Sequence, residues 1–265
     1  MKKNGYTIAE AIITIGFIAI VATLVLPTFV SNYRKEIYTR SLQSAVANFE
    51  KAMETMINNE TATDLFNTKA WNSIKTTSGY VLNNTSSNNT KKDFMNHISK
   101  TMLFESYSNY DSNSSNTAQY NWNFQDLDGS NLSFSSMNIN EPARFKTPKG
   151  FTYGIEINIP KQQYITEKDA FQSGTNYLSR AANYIIIDVN SEKLPNRLGR
   201  DIFTYELSAD GRLYPLGSKD HCTYYDITTN ASTPSYGDNK NYCVNQQDGM
   251  SCAAYLQENG YKMDY

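Results

Sequence analysis

Residues able to do chemistry are few in this chain. His97 and His221 are the two histidines, and Cys222, Cys243 and Cys252 are the three cysteines, all in the last fifth of 265 residues. His221 with the three thiols could form a zinc site, since zinc takes sulfur and imidazole ligands. However, His221 and Cys222 are adjacent and no Cys-x-x-Cys clamp is present, which is poor ligand spacing. A Cys–His nucleophile also lacks a third group to orient it. Asp188, Asn190, Glu192 and Asp201 make the one oxygen-rich cluster of interest. Alternating oxygen ligands can hold calcium, although Lys193 stands where an EF-hand loop has glycine. The alternative is turn capping, with Asp and Asn side chains bonding nearby backbone. Nothing here points to catalysis, and the chain reads as a non-enzyme.

The remaining notable side chain is Glu10. It stands at the mouth of an uncharged apolar run from Ala11 to Val30, behind a short leader containing Lys2, Lys3 and Gly5. A secretory signal places its small-residue cleavage site after the apolar region. Here Gly5-Tyr6 precedes it, so cleavage there keeps the apolar helix on the mature protein. Tyr6 to Val30 spans about 37 Å as a helix, enough for a bilayer core with some tilt. Lys2 and Lys3 predict a cytoplasmic N-terminus and an extracytoplasmic remainder. Pro27 removes a backbone hydrogen bond and is expected to kink or loosen the helix. Glu10 has two readings: an interfacial acid favouring the helix dipole, or a charge partner for the amine of a neighbouring subunit.

Gly5-Tyr6-Thr7-Ile8-Ala9-Glu10, followed by the apolar run, resembles the processing site of type IV prepilins and type II secretion pseudopilins. The resemblance covers about thirty of 265 residues, and it is specific because order, spacing and hydropathy must agree. It implies that a prepilin peptidase cuts after Gly5 and that Tyr6, where phenylalanine is usual, becomes the methylated N-terminal residue. It also implies that Glu10 and Pro27 serve assembly, and that other pilin or pseudopilin subunits pack against the helix. The chain is then expected first in the inner (cytoplasmic) membrane as a single-pass protein, and later in a filament or at the cell surface.

A second, looser resemblance lies in the head. Asp188-Val189-Asn190-Ser191-Glu192-Lys193-Leu194-Pro195-Asn196, then Gly199-Arg200-Asp201-Ile202-Phe203, is similar to pilin-like proteins of type II secretion. So is the ending from Cys252 through Asn259-Gly260 to Met263-Asp264-Tyr265. Pseudopilin heads sometimes bind calcium beside the sheet, so the resemblance adds to the calcium reading. Beyond the membrane the cysteines meet an oxidising compartment. The pairing expected is Cys222–Cys243, with Cys252 unpaired at the start of the family-like C-terminal segment.

Three regions must position these groups: a leader (1–5), a long helix (6–60, membrane-spanning over 6–30) and an extracytoplasmic head (61–265). Beyond Ser31-Asn32, Tyr33, Ile37, Leu42, Val46, Phe49, Met53 and Ile57 recur at three- to five-residue intervals among charged residues. This is an amphipathic continuation ending near Asn58-Asn59. Trp71, Ile74, Phe94, Ile98, Met102 and Leu103 predict one or two short helices, and the polar stretch from Ser106 to Gln119 reads as a mobile loop. Strands are expected from Phe151 to Ile159, Tyr184 to Val189, Ile202 to Leu207 and Arg212 to Leu216, the last two joined at Ala209-Asp210-Gly211. The expected class is α+β, pilin-like: a long N-terminal helix on a small antiparallel sheet.

The formal charge is −2, and loss of Lys2 and Lys3 lowers the basic count from 24 to 22 against 26 acidic residues, giving −4. This is not a generally basic nucleic-acid binder. The functional expectation is a structural, minor subunit of a type IV pilus or secretion pseudopilus. The alternatives are a tip pilin that binds DNA or a surface, and an anchored protein that never polymerises. A DNA contact would use Lys193, Arg197, Arg200, Arg212 and Lys219, a patch interrupted by Asp201, Glu206 and Asp210.

Overall fold

The structure, a computed structural model, describes residues 7–77, 79–82, 86–104, 106–107, 124–132, 143–160, 182–191, 193–216, 243–244 and 249–265. Helix α1 runs Ile8–Asn59 without interruption. Its first half is apolar on every side and therefore has no face to turn inward. Its second half is amphipathic and buries Tyr38, Leu42, Ala45, Phe49, Ala52, Met53 and Met56 under the head. Tyr33 and Ile37 continue the apolar stripe in sequence but stay exposed, because the head begins to cover the helix at Tyr38. The helix stops where Asn58 and Asn59, poor helix formers, precede Thr61 at φ 50°.

Two short helices follow, α2 (Lys69–Ser73) and α3 (Asn88–Ile98), as the apolar spacing predicts. They lock through Trp71 against Phe94, with ring centroids 5.3 Å apart and nearly edge-on. The strands are β1 (Lys75–Thr76), β2 (Gly79–Leu82), β3 (Ser106–Tyr107), β4 (Phe124–Gln125), β5 (Asn131–Leu132), β6 (Ala143–Lys146), β7 (Thr152–Pro160), β8 (Ala182–Asp188), β9 (Ile202–Leu207) and β10 (Leu213–Pro215). A C-terminal helix, α4, spans Cys252–Glu258.

The main sheet is antiparallel, in the order β1-β2-β7-β8-β9-β10. Nine-residue β7 has β8 on one edge, while β6 and β2 share the other edge in series, and β3 pairs with β6. The four strands read from the sequence are β7 to β10. The other four are short, and Ser106–Tyr107 pairs with Phe145 and Lys146, so a strand begins where a loop was expected. The rest of that stretch lies outside the described residues.

Register places Tyr153, Ile155 and Ile157 of β7 beside Ile187 and Ile185 of β8, and these beside Phe203 and Tyr205 of β9. This face packs on α1. Tyr153 donates its hydroxyl to the Ala45 carbonyl at 2.9 Å, and its ring lies 5.5 Å from that of Phe49. The β9–β10 hairpin also seats on the helix. Gly211, at φ 88°, leaves room for Met53: a Cβ there would come within 3.0 Å of the Met53 Cβ. The Leu213 N–H on the edge strand donates to Glu50 Oε1 at 2.9 Å, and Pro215 has no N–H to offer. The β10 edge therefore offers neither of these two N–H groups to an added strand.

Candidate functional site

The N-terminal site is built on the first turn of α1. Gly5 and Tyr6 lie outside the described residues. Thr7 is the N-cap, its Oγ1 accepting from the Glu10 N–H at 3.3 Å. Glu10 Oε2 in turn accepts from the Thr7 N–H and from the Thr7 hydroxyl, each at 2.8 Å. This is a reciprocal capping box. Glu10 thus has a partner within its own helix, a third role beside the two read from the sequence. The signal was legible as Thr7-x-x-Glu10, the capping-box spacing, and the sequence reading passed over it.

Beyond this cap, Ile12, Ile15, Phe17, Leu24, Leu26 and Phe29 are each at least 56% exposed. The most apolar window of α1 has no buried residue. This is one helix long and apolar enough to cross a membrane. Two of its threonines close on their own backbone, Thr14 on the Ala11 carbonyl and Thr23 on the Ile20 carbonyl. Pro27 lies inside the helix and deprives the Thr23 carbonyl of its usual N–H donor.

The second site is the loop between β8 and β9. Asp188 closes β8, and its Oδ1 accepts from the Asn190 N–H at 3.0 Å. Asp201 opens the return. Its Oδ2 accepts from Asn190 Nδ2 at 3.0 Å and from the Asn196 N–H at 2.9 Å, and its Oδ1 from the Arg197 N–H at 2.6 Å. The loop needs this anchor, because Ser191 and Asn196 sit at φ 57° and 53°. Burial pushes the Asp201 carboxyl above the ordinary aspartate range, against the N–H donors that pull it down. The structure therefore brings Asp188, Asn190 and Asp201 together, and Glu192 lies outside the described residues.

The turn-capping reading is realised in these bonds. An acceptor surplus remains as well. Asn190 Oδ1 and Asn196 Oδ1 are buried and receive no hydrogen bond from any described residue. Among the described residues no group of three or more His, Cys, Asp or Glu could hold a metal. Two carboxylates and two amide oxygens are the ligand type a hard cation such as calcium takes, but both Asp201 oxygens already accept from N–H groups of the loop. Asn196, whose N–H bonds Asp201, is a loop residue that the sequence reading missed.

The cysteines are placed differently from expectation. Cys243 bonds to Cys252, with Cα atoms 4.7 Å apart, so the expected Cys222–Cys243 link is overturned and Cys252 is not free. Cys252 heads α4 and packs on Gly199, where a Cβ would meet its Sγ; with Cys243 and Tyr255 it forms a buried cluster beside Leu127 and Tyr265. The fold thus brings these two Cα atoms within bonding range, which sequence spacing cannot show. Zinc binding through all three thiolates is thereby overturned, as is a nucleophile at Cys243 or Cys252. His221, Cys222 and Lys219 lie outside the described residues. His97 is on α3, where burial holds its imidazole below the usual histidine range.

No protein-family model, curated protein or solved structure matches this chain.

Two of the basic residues of the DNA reading have partners in the fold. Arg197 Nε donates to Gln125 Oε1 at 3.3 Å, and Arg212 faces Asp210 at 3.6 Å. Lys193 is exposed.

Proposed function

We propose that this chain is a structural subunit, a minor one, of a type IV pilus or type II secretion pseudopilus, and not an enzyme. The observation that carries the reading is the division of α1. One half is apolar on all sides with no buried residue, while the other half is the spine of the head. An exposed apolar rod of this length needs lipid or sibling helices around it. A leader cut at Gly5-Tyr6 by a prepilin peptidase leaves that rod on the mature chain, and Glu10 at its start offers a carboxylate to a neighbour's Tyr6 amine.

Topology follows from processing in this reading, with the N-terminus cytoplasmic and the head outside. The charge count alone does not orient the helix, because Arg34, Lys35 and Arg40 follow it while Lys2 and Lys3 precede it. The test is mass spectrometry of the mature N-terminus, joined to imaging of filaments from cells carrying a tagged head. A methylated Tyr6 and labelled filaments are expected. An N-terminus created after Val30 would overturn the reading, and a processed chain that never enters filaments would favour the anchored, non-polymerising alternative.

The head-loop oxygens support a second proposal, that calcium is held by Asp188, Asn190, Asn196 and Asp201. Bound there, the cation would supply charge to the buried acceptors and stiffen the loop.

A further inference from the structure

No described residue of the head buries the stretch between rod and head. Apolar residues run to Val30, and the first residue covered by the head is Tyr38. No residue of the neck, 31–37, is buried, and Tyr33 is 57% exposed. Glu36 pairs with Arg40 one turn on, which cancels both charges. Arg34 and Lys35 make no ion pair with any described residue, so the neck carries two uncompensated cations beside an exposed tyrosine.

Helical rise fixes where these groups lie if the rod crosses a bilayer, the reading on which this inference rests. The uncharged run 11–30 is about 30 Å long, which matches the hydrocarbon core. Arg34 and Lys35 then sit about 6–8 Å beyond its edge, and the headgroup layer is about 5–7 Å deep on each side. Because α1 is continuous from Ile8 to Asn59, neck and rod share one axis and the depth of the cations is set by the rod. A tyrosine at this level has its ring on the apolar side and its hydroxyl in water, as interfacial aromatics do.

We infer that Tyr33, Arg34 and Lys35 form a docking collar for the phosphates of anionic phospholipid on the head side of the membrane. Charge complementarity selects this occupant: two free cations meet a layer of phosphate at the depth the helix imposes. The collar holds the rod at one height and keeps the head, which covers α1 from Tyr38 onward, clear of the lipid.

The test uses the full chain in phosphatidylcholine vesicles with a trace of spin-labelled phosphatidylglycerol or spin-labelled phosphatidylcholine. The fraction of each lipid immobilised by the protein is read by electron paramagnetic resonance. A preference for phosphatidylglycerol is expected at low salt, about fivefold for one engaged cation and up to about thirtyfold for both. It should fall toward one at 1 M salt, where screening acts within about 3 Å. It should also fall toward one in R34Q/K35Q, while the phosphatidylcholine fraction is unchanged. Equal immobilisation of both lipids by the wild type, or a preference that survives R34Q/K35Q, would overturn the collar. Immobilisation of neither lipid would overturn the spanning reading, and the collar with it.

Discussion

Replacing Asp201 with asparagine tests how the head loop is held. The wild-type carboxylate receives three hydrogen bonds, from Asn190 Nδ2 and from the N–H groups of Asn196 and Arg197. An amide has one acceptor oxygen, and its NH2 would point donors at donors. Bonds to a charged acceptor contribute about 1.5–3 kcal/mol each, and a buried donor left unsatisfied costs about 1–3 kcal/mol. Removing the buried charge recovers part of its desolvation, so the net loss is about 2–3 kcal/mol. For a domain of this size that is about 4–12 °C in Tm.

The sign of the pH dependence makes the test sharper. The folded-state pKa of Asp201 is raised above 3.8, so the native state binds this proton more tightly than the unfolded state. Its contribution to stability therefore grows as pH falls through the folded-state value toward 3.8, and is lost again as pH rises. The gap between wild type and Asp201→Asn should widen at acid pH. Paired thermal melts by circular dichroism at neutral and mildly acidic pH measure it. A variant as stable as wild type would refute the anchor, and a gap that narrows on acidification would refute the desolvated carboxyl.

The other tests address separate sites. Glu10→Ala should still be cleaved and inserted but should enter filaments poorly; normal incorporation, measured by filament composition, would leave Glu10 as a helix cap alone. Non-reducing peptide mapping of the exported protein should recover a Cys243–Cys252 cross-link, and a Cys222–Cys243 peptide would contradict the buried cluster around Gly199. Millimolar calcium should raise Tm by several degrees through preferential binding to the folded state, and Asn196→Ala should abolish the shift; a melt indifferent to calcium and chelator would remove the metal from the loop. DNA should bind the full chain weakly at physiological salt; tight, salt-sensitive binding lost in Lys193→Glu with Arg200→Glu would instead favour the DNA-capturing tip pilin.

Much of the framework was legible because it is periodic or local. The apolar run, its amphipathic continuation and the stop at Asn58-Asn59 are repeats of one helical period, and α1 follows them from Ile8 to Asn59. Strands β7 to β10 were legible from β-branched runs and the Asp210-Gly211 turn, since each is long enough or sharply enough bounded to carry its own signal. The strands β1, β2, β3 and β6 were not, because two to four residues hold no period and exist only through a neighbour's hydrogen bonds. Side-chain convergence was less legible still. Asp188 and Asp201 are separated along the chain and meet because β8 and β9 pair as antiparallel neighbours, with Asp188 opposite Ile202. Cys252 reaches Cys243 because α4 packs on the β8–β9 loop, a contact that no spacing rule contains. Sequence alone determined where the apolar rod ends, since hydropathy acts residue by residue, but not where the head begins to cover the helix, which Tyr33 and Ile37 mispredict. Only tertiary structure decided which distant polar atoms became neighbours, since that depends on strand register and helix docking.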